Sequence, residues 1–243
     1  MTLTLPRVIG HRGAAAHAPE NTLASIRKAA ALGVEMIEFD VKLTRNRVPV
    51  VIHDDTLDRT TDGSGAVANA DFAALRMLDA GRKFAPEFRG ERIPTLDEVL
   101  TLALELGLAV NIEIKPCPGR EVETAEVALA AAQRLWPADR PKPLISSFAI
   151  ESLMKAREIA PDWPRGYLIW ERPAVWAANA DAIGAATINV SHEKETPETI
   201  AEYRATGRPV LAYTVNDPER ARTLFDLGVA GVFSDAPDRI LAL

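Results

Sequence analysis

Strand-length apolar runs alternate with longer amphipathic stretches from one end of this 243-residue chain to the other. That alternation narrows the fold more than any other feature. Nine runs read as strands: Val8–Gly10, Met36–Lys42, Val48–His53, Ala109–Lys115, Leu144–Ser147, Gly166–Ile169, Thr187–Val190, Val210–Thr214 and Gly231–Ser234. Several stretches between them carry helix punctuation. Leu23, Ile26 and Ala30 make one helical stripe, which Gly33 ends. Thr95 and Glu98 have capping-box spacing ahead of Val99, Leu100 and Ala103, and Gly107 closes that helix. Thr196-Pro197 opens a helix that Gly207 closes, and Asp217-Pro218 opens one that Gly228 closes. Repeated strand–helix units imply a parallel sheet. About eight of them in this length predict an α/β fold, the (β/α)8 TIM barrel, with an open doubly wound sheet as the alternative. The open sheet is disfavoured by the turn after the first strand. His11-Arg12-Gly13 stands there in place of a glycine-rich dinucleotide fingerprint.

One stretch breaks the rhythm. From about 54 to 92 the chain carries Gly63, Gly65, Gly81 and Gly90, several acidic residues and little periodicity. It reads as a small insertion after the second barrel strand region, within a single barrel domain spanning 1–243. It is too long for a bare loop, so it is expected to hold some structure and to wall the active site.

The formal net charge of -6 argues against a nucleic-acid partner, which favours a basic surface. A small anion remains compatible, because a local cationic site can oppose the global sign. The one cysteine, Cys117, excludes an internal disulfide framework and reads as a free loop thiol. Met1 to Pro6 is too short for a signal peptide, and no apolar stretch reaches membrane-spanning length. The expectation is a cytoplasmic protein with no stable membrane insertion.

The chemistry begins in Ile37-Glu38-Phe39-Asp40-Val41. Side chains alternate faces along a strand, so Ile37, Phe39 and Val41 take one side and both carboxylates the other. In a barrel the apolar side packs under the helices and the carboxylates point inward. Asn111-Ile112-Glu113-Ile114-Lys115 repeats the pattern and adds Glu113. Buried ionised carboxylates repel one another and need compensation. One divalent cation would supply it, and all-oxygen ligation suits Mg²⁺ or Ca²⁺ better than zinc. The alternative is a metal-free ion network with Lys42, Lys115 or Arg12. His11 ends the first strand and His53 ends the Val50-Val51-Ile52 run. Both are expected at carboxyl ends of barrel strands, where this fold builds its active sites. Two histidines flanking a phosphodiester can divide proton transfer between them. Arg12 can grip phosphate oxygens in a fork and Lys115 can act as a point charge. Three carboxylates, one divalent cation, one phosphodiester and these two cations balance to neutrality.

Taken in order, these residues resemble the glycerophosphodiester phosphodiesterase family, in its bacterial cytosolic form. The likeness runs through His11-Arg12-Gly13, Pro19-Glu20-Asn21-Thr22, Glu38-Phe39-Asp40, His53-Asp54 and Glu113-Ile114-Lys115. It continues in Ser147-Phe148, Tyr213-Thr214-Val215-Asn216 and Ser234-Asp235, and so covers nearly the whole chain. The resemblance implies a (β/α) barrel with a small insertion and a divalent metal. It implies hydrolysis of small-molecule glycerophosphodiesters to sn-glycerol 3-phosphate and an alcohol such as choline or ethanolamine. Glu38, Asp40 and Glu113 are then the metal ligands and His11 and His53 the acid–base pair. By analogy, His11 is the base and His53 the acid in a first step that yields a cyclic phosphate.

Two departures bear on the pocket. Tyr213 stands where many relatives have tryptophan, and Gly13-Ala14-Ala15-Ala16-His17 replaces a more polar loop. Phe148 and Tyr213 are candidate pocket residues. Glu20 and Asn21 are expected to shape the loop and cap the first helix, and His17 and His192 to be structural. The rival functions are a phospholipase D-like enzyme acting on lipids and a non-catalytic sensor of phosphate ligands. No exposed apolar or basic face supports the first, and no metal ligand or histidine is missing as the second would require.

Overall fold

In the computed structural model, which describes residues 4–243, all nine expected strands form, with ends shifted by one or two residues. They are β1 (Val8–Gly10), β2 (Met36–Leu43), β3 (Pro49–Val51), β4 (Ala109–Ile114), β5 (Leu144–Ser147), β6 (Arg165–Ile169), β7 (Thr187–Ser191), β8 (Val210–Tyr213) and β9 (Gly231–Ser234). The helices are α1 (Leu23–Ala31), α2 (Phe72–Leu75), α3 (Leu96–Glu105), α4 (Glu121–Leu135), α5 (Ile150–Ile159), α6 (Trp176–Ile183), α7 (Pro197–Ala205), α8 (Pro218–Asp226) and α9 (Pro237–Leu241). Strand order is β1-β9-β8-β7-β6-β5-β4-β2, and the pairing of Gly10 with Ile37 joins β1 to β2. Eight parallel strands therefore close into a (β/α)8 barrel.

Local chemistry starts and stops the helices where the sequence indicates. Thr95 Oγ1 accepts from the Glu98 backbone N–H while Glu98 reaches back to the Thr95 N–H, a complete capping box. Pro197 and Pro218 stand at the first position of α7 and α8. Gly107 ends the α3 turn at φ 73°, a left-handed conformation that glycine takes without a Cβ clash.

Strand alternation divides the interior. Ile37, Phe39, Val41, Ile112 and Ile114 join the large apolar cluster between sheet and helices. Inside the barrel, Ile9, Met36, Leu144, Leu211 and Phe233 form a separate apolar plug. Glu38 and Asp40 follow Met36 on the same face of β2, so the interior turns polar toward the carboxyl ends of the strands.

The ninth strand corrects an expectation. β3 is not a barrel strand: it pairs antiparallel with β2 outside the closed ring. β2 is eight residues long, whereas β5, β8 and β9 have four. Its final residues rise above the rim, where Val41, Lys42 and Leu43 pair with Val51, Val50 and Pro49. The chain turns over at Arg47, φ 62°, and descends again. The Ile52 N–H then donates to the Asp40 carbonyl at 3.0 Å, which sets where His53 arrives.

The irregular segment beyond it has its own apolar cluster of Val50, Ile52, Leu57, Val67, Leu75, Ala80 and Ile93. Single 3-10 turns at Val67–Asn69 and Pro86–Phe88 and the short α2 give it shape. Asp79 ties it together by accepting from the backbone N–H groups of Gly81, Arg82 and Gly90 at 2.9 Å each. Among the described residues no helix is long and apolar enough to cross a membrane.

Candidate active site

The carboxyl-terminal mouth of the barrel holds a cavity of about 210 Å³. Glu38, Asp40 and Glu113 meet at its base. They are 3%, 1% and 7% exposed, and one oxygen of each lies within 4.8 Å of the others. Strand register causes this convergence: in the β2–β4 ladder Asp40 stands opposite Glu113, and Glu38 lies two residues earlier on the same face. Burial, then the charges of Asp40 and Glu113, push the Glu38 carboxyl well above the usual carboxylate range. Burial and Asp40 push Glu113 upward as well. Burial also works against Asp40, but Lys115, Arg12 and His53 outweigh it and hold that carboxyl low.

Glu38 Oε1 is buried with no hydrogen-bond partner among the described residues. A buried carboxylate oxygen without a donor is costly, and a hard cation is the partner such an oxygen set accepts. The residues present therefore fit a divalent metal. Part of the charge is met by protein. Lys115 Nζ donates to Glu113 Oε1 at 2.8 Å and lies 3.5 Å from Asp40 Oδ1. Arg12 Nε lies 3.4 Å from Asp40 Oδ2, and the Arg12 backbone N–H donates to Glu38 Oε2 at 3.1 Å. The expected ion pairs of Arg12 and Lys115 thus form around the acidic cluster. Lys42 goes elsewhere, to Asp55 and the Lys115 carbonyl.

Each cavity histidine is held from behind by an aspartate. His11 Nδ1 lies 2.6 Å from Asp235 Oδ1, and His53 Nδ1 lies 2.6 Å from Asp54 Oδ1. An ionised carboxylate only accepts, so Nδ1 carries a proton in both rings, and Nε2 is the position that takes up or gives away the second one. His11 Nε2 lies 3.9 Å from Glu38 Oε2, which places it beside the acidic cluster. Asp235 is itself fixed. Asn216 Nδ2 donates to Asp235 Oδ2 at 2.9 Å, while Asn216 Oδ1 accepts from Ser234 Oγ at 3.0 Å and the Asp235 N–H at 2.8 Å. His53 has its pKa lowered by burial, against the opposing pull of Asp40, with Arg12 and Lys115 adding to the depression.

The structure brings together all the candidate site residues except Asp40 along the cavity wall, and Asp40 lies beneath it in the acidic cluster. Phe148 and Tyr213 meet edge to face, ring centres 5.9 Å apart, and Lys115 Nζ lies 5.4 Å from the Phe148 ring centre. The Tyr213 hydroxyl donates to the Ile169 carbonyl at 2.7 Å, so the ring is anchored. Trp170, half exposed, completes the aromatic side and was not among the expected residues. Its signal was available: it is the residue directly after β6.

The roles of Glu20 and Asn21 differ from expectation. Thr22, not Asn21, caps α1. Asn21, at φ 58°, donates from Nδ2 to Asp40 Oδ2 at 2.8 Å. Glu20 accepts from Arg12 Nη1 at 2.8 Å. His17 pairs with Asp238 and His192 with Arg220, both away from the cavity wall. Cys117 is free and buried.

Polar and titratable groups gathered at the carboxyl-terminal mouth of a closed parallel barrel mark the class as a barrel enzyme. The sequence model of the glycerophosphoryl diester phosphodiesterase family matches residues 11–239. A glycerophosphodiester phosphodiesterase of Caldanaerobacter subterraneus is 36% identical, covering 97% of this chain and 96% of its own. One from Bacillus subtilis is 32% identical over 95% of this chain and 83% of its own. The solved structure of an Oleispira antarctica phosphodiesterase, in complex with the product sn-glycerol-3-phosphate, is 38% identical. It superposes with a TM-score of 0.95, covering 98% of this chain and 96% of that one. The chain belongs to the glycerophosphoryl diester phosphodiesterase family, and is by class a phosphoric diester hydrolase.

Proposed function

We propose that the chain hydrolyses small glycerophosphodiesters, such as glycerophosphocholine and glycerophosphoethanolamine, to sn-glycerol 3-phosphate and the free alcohol. One divalent cation, Mg²⁺ or Ca²⁺, is the cofactor in this reading. The observation that carries it is the pair of aspartate-backed histidines presenting Nε2 to one cavity, beside a buried carboxylate cluster with an unpartnered oxygen. The product held by the Oleispira antarctica enzyme supports the same product here.

Glu38, Asp40 and Glu113 would hold the cation, which when bound supplies charge neutralisation for the phosphate. Arg12 and Lys115 bind phosphate oxygens with donors not given to carboxylates. The neighbouring glycerol hydroxyl attacks phosphorus. Its proton goes to the Nε2 of one neutral histidine, and the P–O bond to the alcohol breaks as the other histidine, which enters the step as imidazolium, gives that oxygen its Nε2 proton. Water then opens the cyclic phosphate with the roles exchanged, which returns both rings to their starting state. The depressed pKa of His53 favours its unprotonated ring. It therefore favours the accepting role for His53 in the first step, the reverse of the order implied by the resemblance. Phe148 and Tyr213 hold the apolar edge of the substrate, and the 54–92 segment, expected to wall the site, lines none of the cavity and reaches the site from behind, through Asp54 at His53 Nδ1.

The test is release of glycerol 3-phosphate from a panel of head groups with Mg²⁺ or Ca²⁺, and after chelation. No release with any head group and either metal would defeat the reading. His11→Ala and His53→Ala are each expected to lose about 10²- to 10⁴-fold in kcat with the thermal midpoint unchanged. Faster turnover of a lysophospholipid than of its deacylated counterpart would instead identify a lipid-directed enzyme.

A further inference from the structure

Arg59 lies in the irregular segment, off the cavity wall, with its side chain half exposed. It nevertheless touches the supports of both halves of the site. Its Nη1 and Nη2 donate to Glu20 Oε2 and Oε1, each at 2.7 Å. On its other edge Nε donates to Asp54 Oδ2 at 2.7 Å and Nη2 to Asp54 Oδ1 at 2.9 Å. Asp54 is the carboxylate behind His53, and Glu20 is the carboxylate that accepts from Arg12 Nη1. One planar guanidinium thus makes two forked pairs at once, a geometry that its rigid array of donors allows and a lysine ammonium does not. The electrostatics agree. The hydrogen bonds that Arg59 donates to Glu20 and Asp54 raise its pKa, and the hydrogen bond from Arg59 is the foremost cause that lowers Asp54.

We infer that Arg59 is a positioning residue, whose double fork fixes the His53 ring and the Arg12 guanidinium in register across the mouth of the cavity. This rests on the proposed roles of His53 and Arg12. Without Arg59, Asp54 loses two donors and is free to turn from His53 Nδ1, which releases both ring orientation and tautomer. Glu20 keeps Arg12 as its cationic partner and draws that guanidinium away from Asp40 Oδ2. The irregular segment thereby becomes part of the site through a residue that never meets substrate. Its anchoring is local: the neighbouring Asp58 carbonyl accepts from Lys83 Nζ, and Gly65 N–H donates to Asp58 Oδ2 at 3.1 Å.

The experiment compares kcat and KM for glycerophosphocholine hydrolysis in the parent, Arg59→Ala, Arg59→Lys, Lys83→Ala and His53→Ala. Arg59→Ala is expected to lose about tenfold to a hundredfold in kcat, the range for residues that orient catalytic side chains through one intermediate partner. Millimolar guanidinium chloride is expected to restore part of it, because the vacated site is half exposed. Arg59→Lys keeps the charge and the stem, so it stays testable should the alanine variant unfold, and it is expected to keep less than about a third of kcat. Lys83→Ala, which loosens the same loop without reaching the site, is expected to match the parent. A parent-like kcat in Arg59→Lys, or a folded Arg59→Ala that guanidinium does not rescue, overturns the inference. If His53→Ala is inactive while both Arg59 variants are fully active, only this inference fails. If His53→Ala is fully active, the reading of the site falls and this inference with it.

Discussion

At the scale of single residues, Asp235 does for His11 what Asp54 does for His53, and its surroundings make the role sharply testable. Asn216 offers its amide N–H₂ to Asp235 Oδ2, and its own orientation is set by the donors that its Oδ1 accepts. In Asp235→Asn the new amide must therefore present its oxygen to Asn216 and its N–H₂ to His11. Nδ1 becomes an acceptor, the ring proton moves to Nε2, and the ring loses the lone pair with which it takes a proton when it acts as the base. A loss of about 10²- to 10⁴-fold in kcat with little change in KM is expected from steady-state kinetics. Parent-like turnover would show that the tautomer of His11 is immaterial.

At the scale of elements, the excursion between β2 and α3 is what this chain adds to a plain barrel. The overlong β2 lifts the backbone above the rim, β3 brings it back, and His53 arrives beside Asp40 from above. The segment beyond holds its shape through a modest apolar cluster and through Asp79. Removing the Asp79 carboxylate strands three backbone donors, so Asp79→Ala is expected to destabilise the segment by about 1–3 kcal/mol. Hydrogen-exchange protection lost in this segment and retained in the barrel strands would be the signature. Uniform loss, or none, would count against it. The pH dependence has a definite sign. Burial raises the Asp79 pKa, but the three backbone N–H groups and Arg82 outweigh it, leaving it below its ordinary value. A depressed folded pKa means that the contribution is complete above the unfolded value. It is then lost as pH falls through the folded one. The segment should loosen in that acid range in the parent, and Asp79→Ala should lack this step.

At the scale of the molecule, the strand register of the closed barrel gathers three carboxylates around one point. Arg12 and Lys115 relieve part of their repulsion, and Glu38 Oε1 is left without a donor among the described residues. A cation that binds the folded state alone stabilises it by mass action, about 2.7 kcal/mol at a hundred times its dissociation constant. For a chain of this length that is a rise in Tm of roughly 5–10 °C. Thermal melts with Mg²⁺ or Ca²⁺ against chelator should show it. Glu38→Gln removes one of the repelling charges, so it is expected to melt at or above the parent in chelator and to gain little from metal. A parent that metal does not stabilise would argue that the acidic cluster is satisfied by protein alone.

Much of this was legible in the chain. The nine apolar runs, the caps at Thr95, Thr196 and Asp217, and the inward parity of Glu38, Asp40 and Glu113 are local consequences of alternation and backbone hydrogen bonding. Those rules act over a few residues, so a sequence displays them directly. What they do not carry is strand direction across a turn. Val48–His53 reads as a strand whether it enters the barrel or folds back on β2, and only the length of β2 above the rim decides that it folds back. Long-range partnerships are hidden for the same reason. Asp235 stands 224 residues from His11, and Arg59 stands 39 from Glu20. The sequence by itself determined the strand–helix rhythm and which side chains would share a face. The tertiary structure decided which aspartate backs which histidine and how His53 reaches the mouth, because barrel closure and a descending hairpin bring distant segments within hydrogen-bond range.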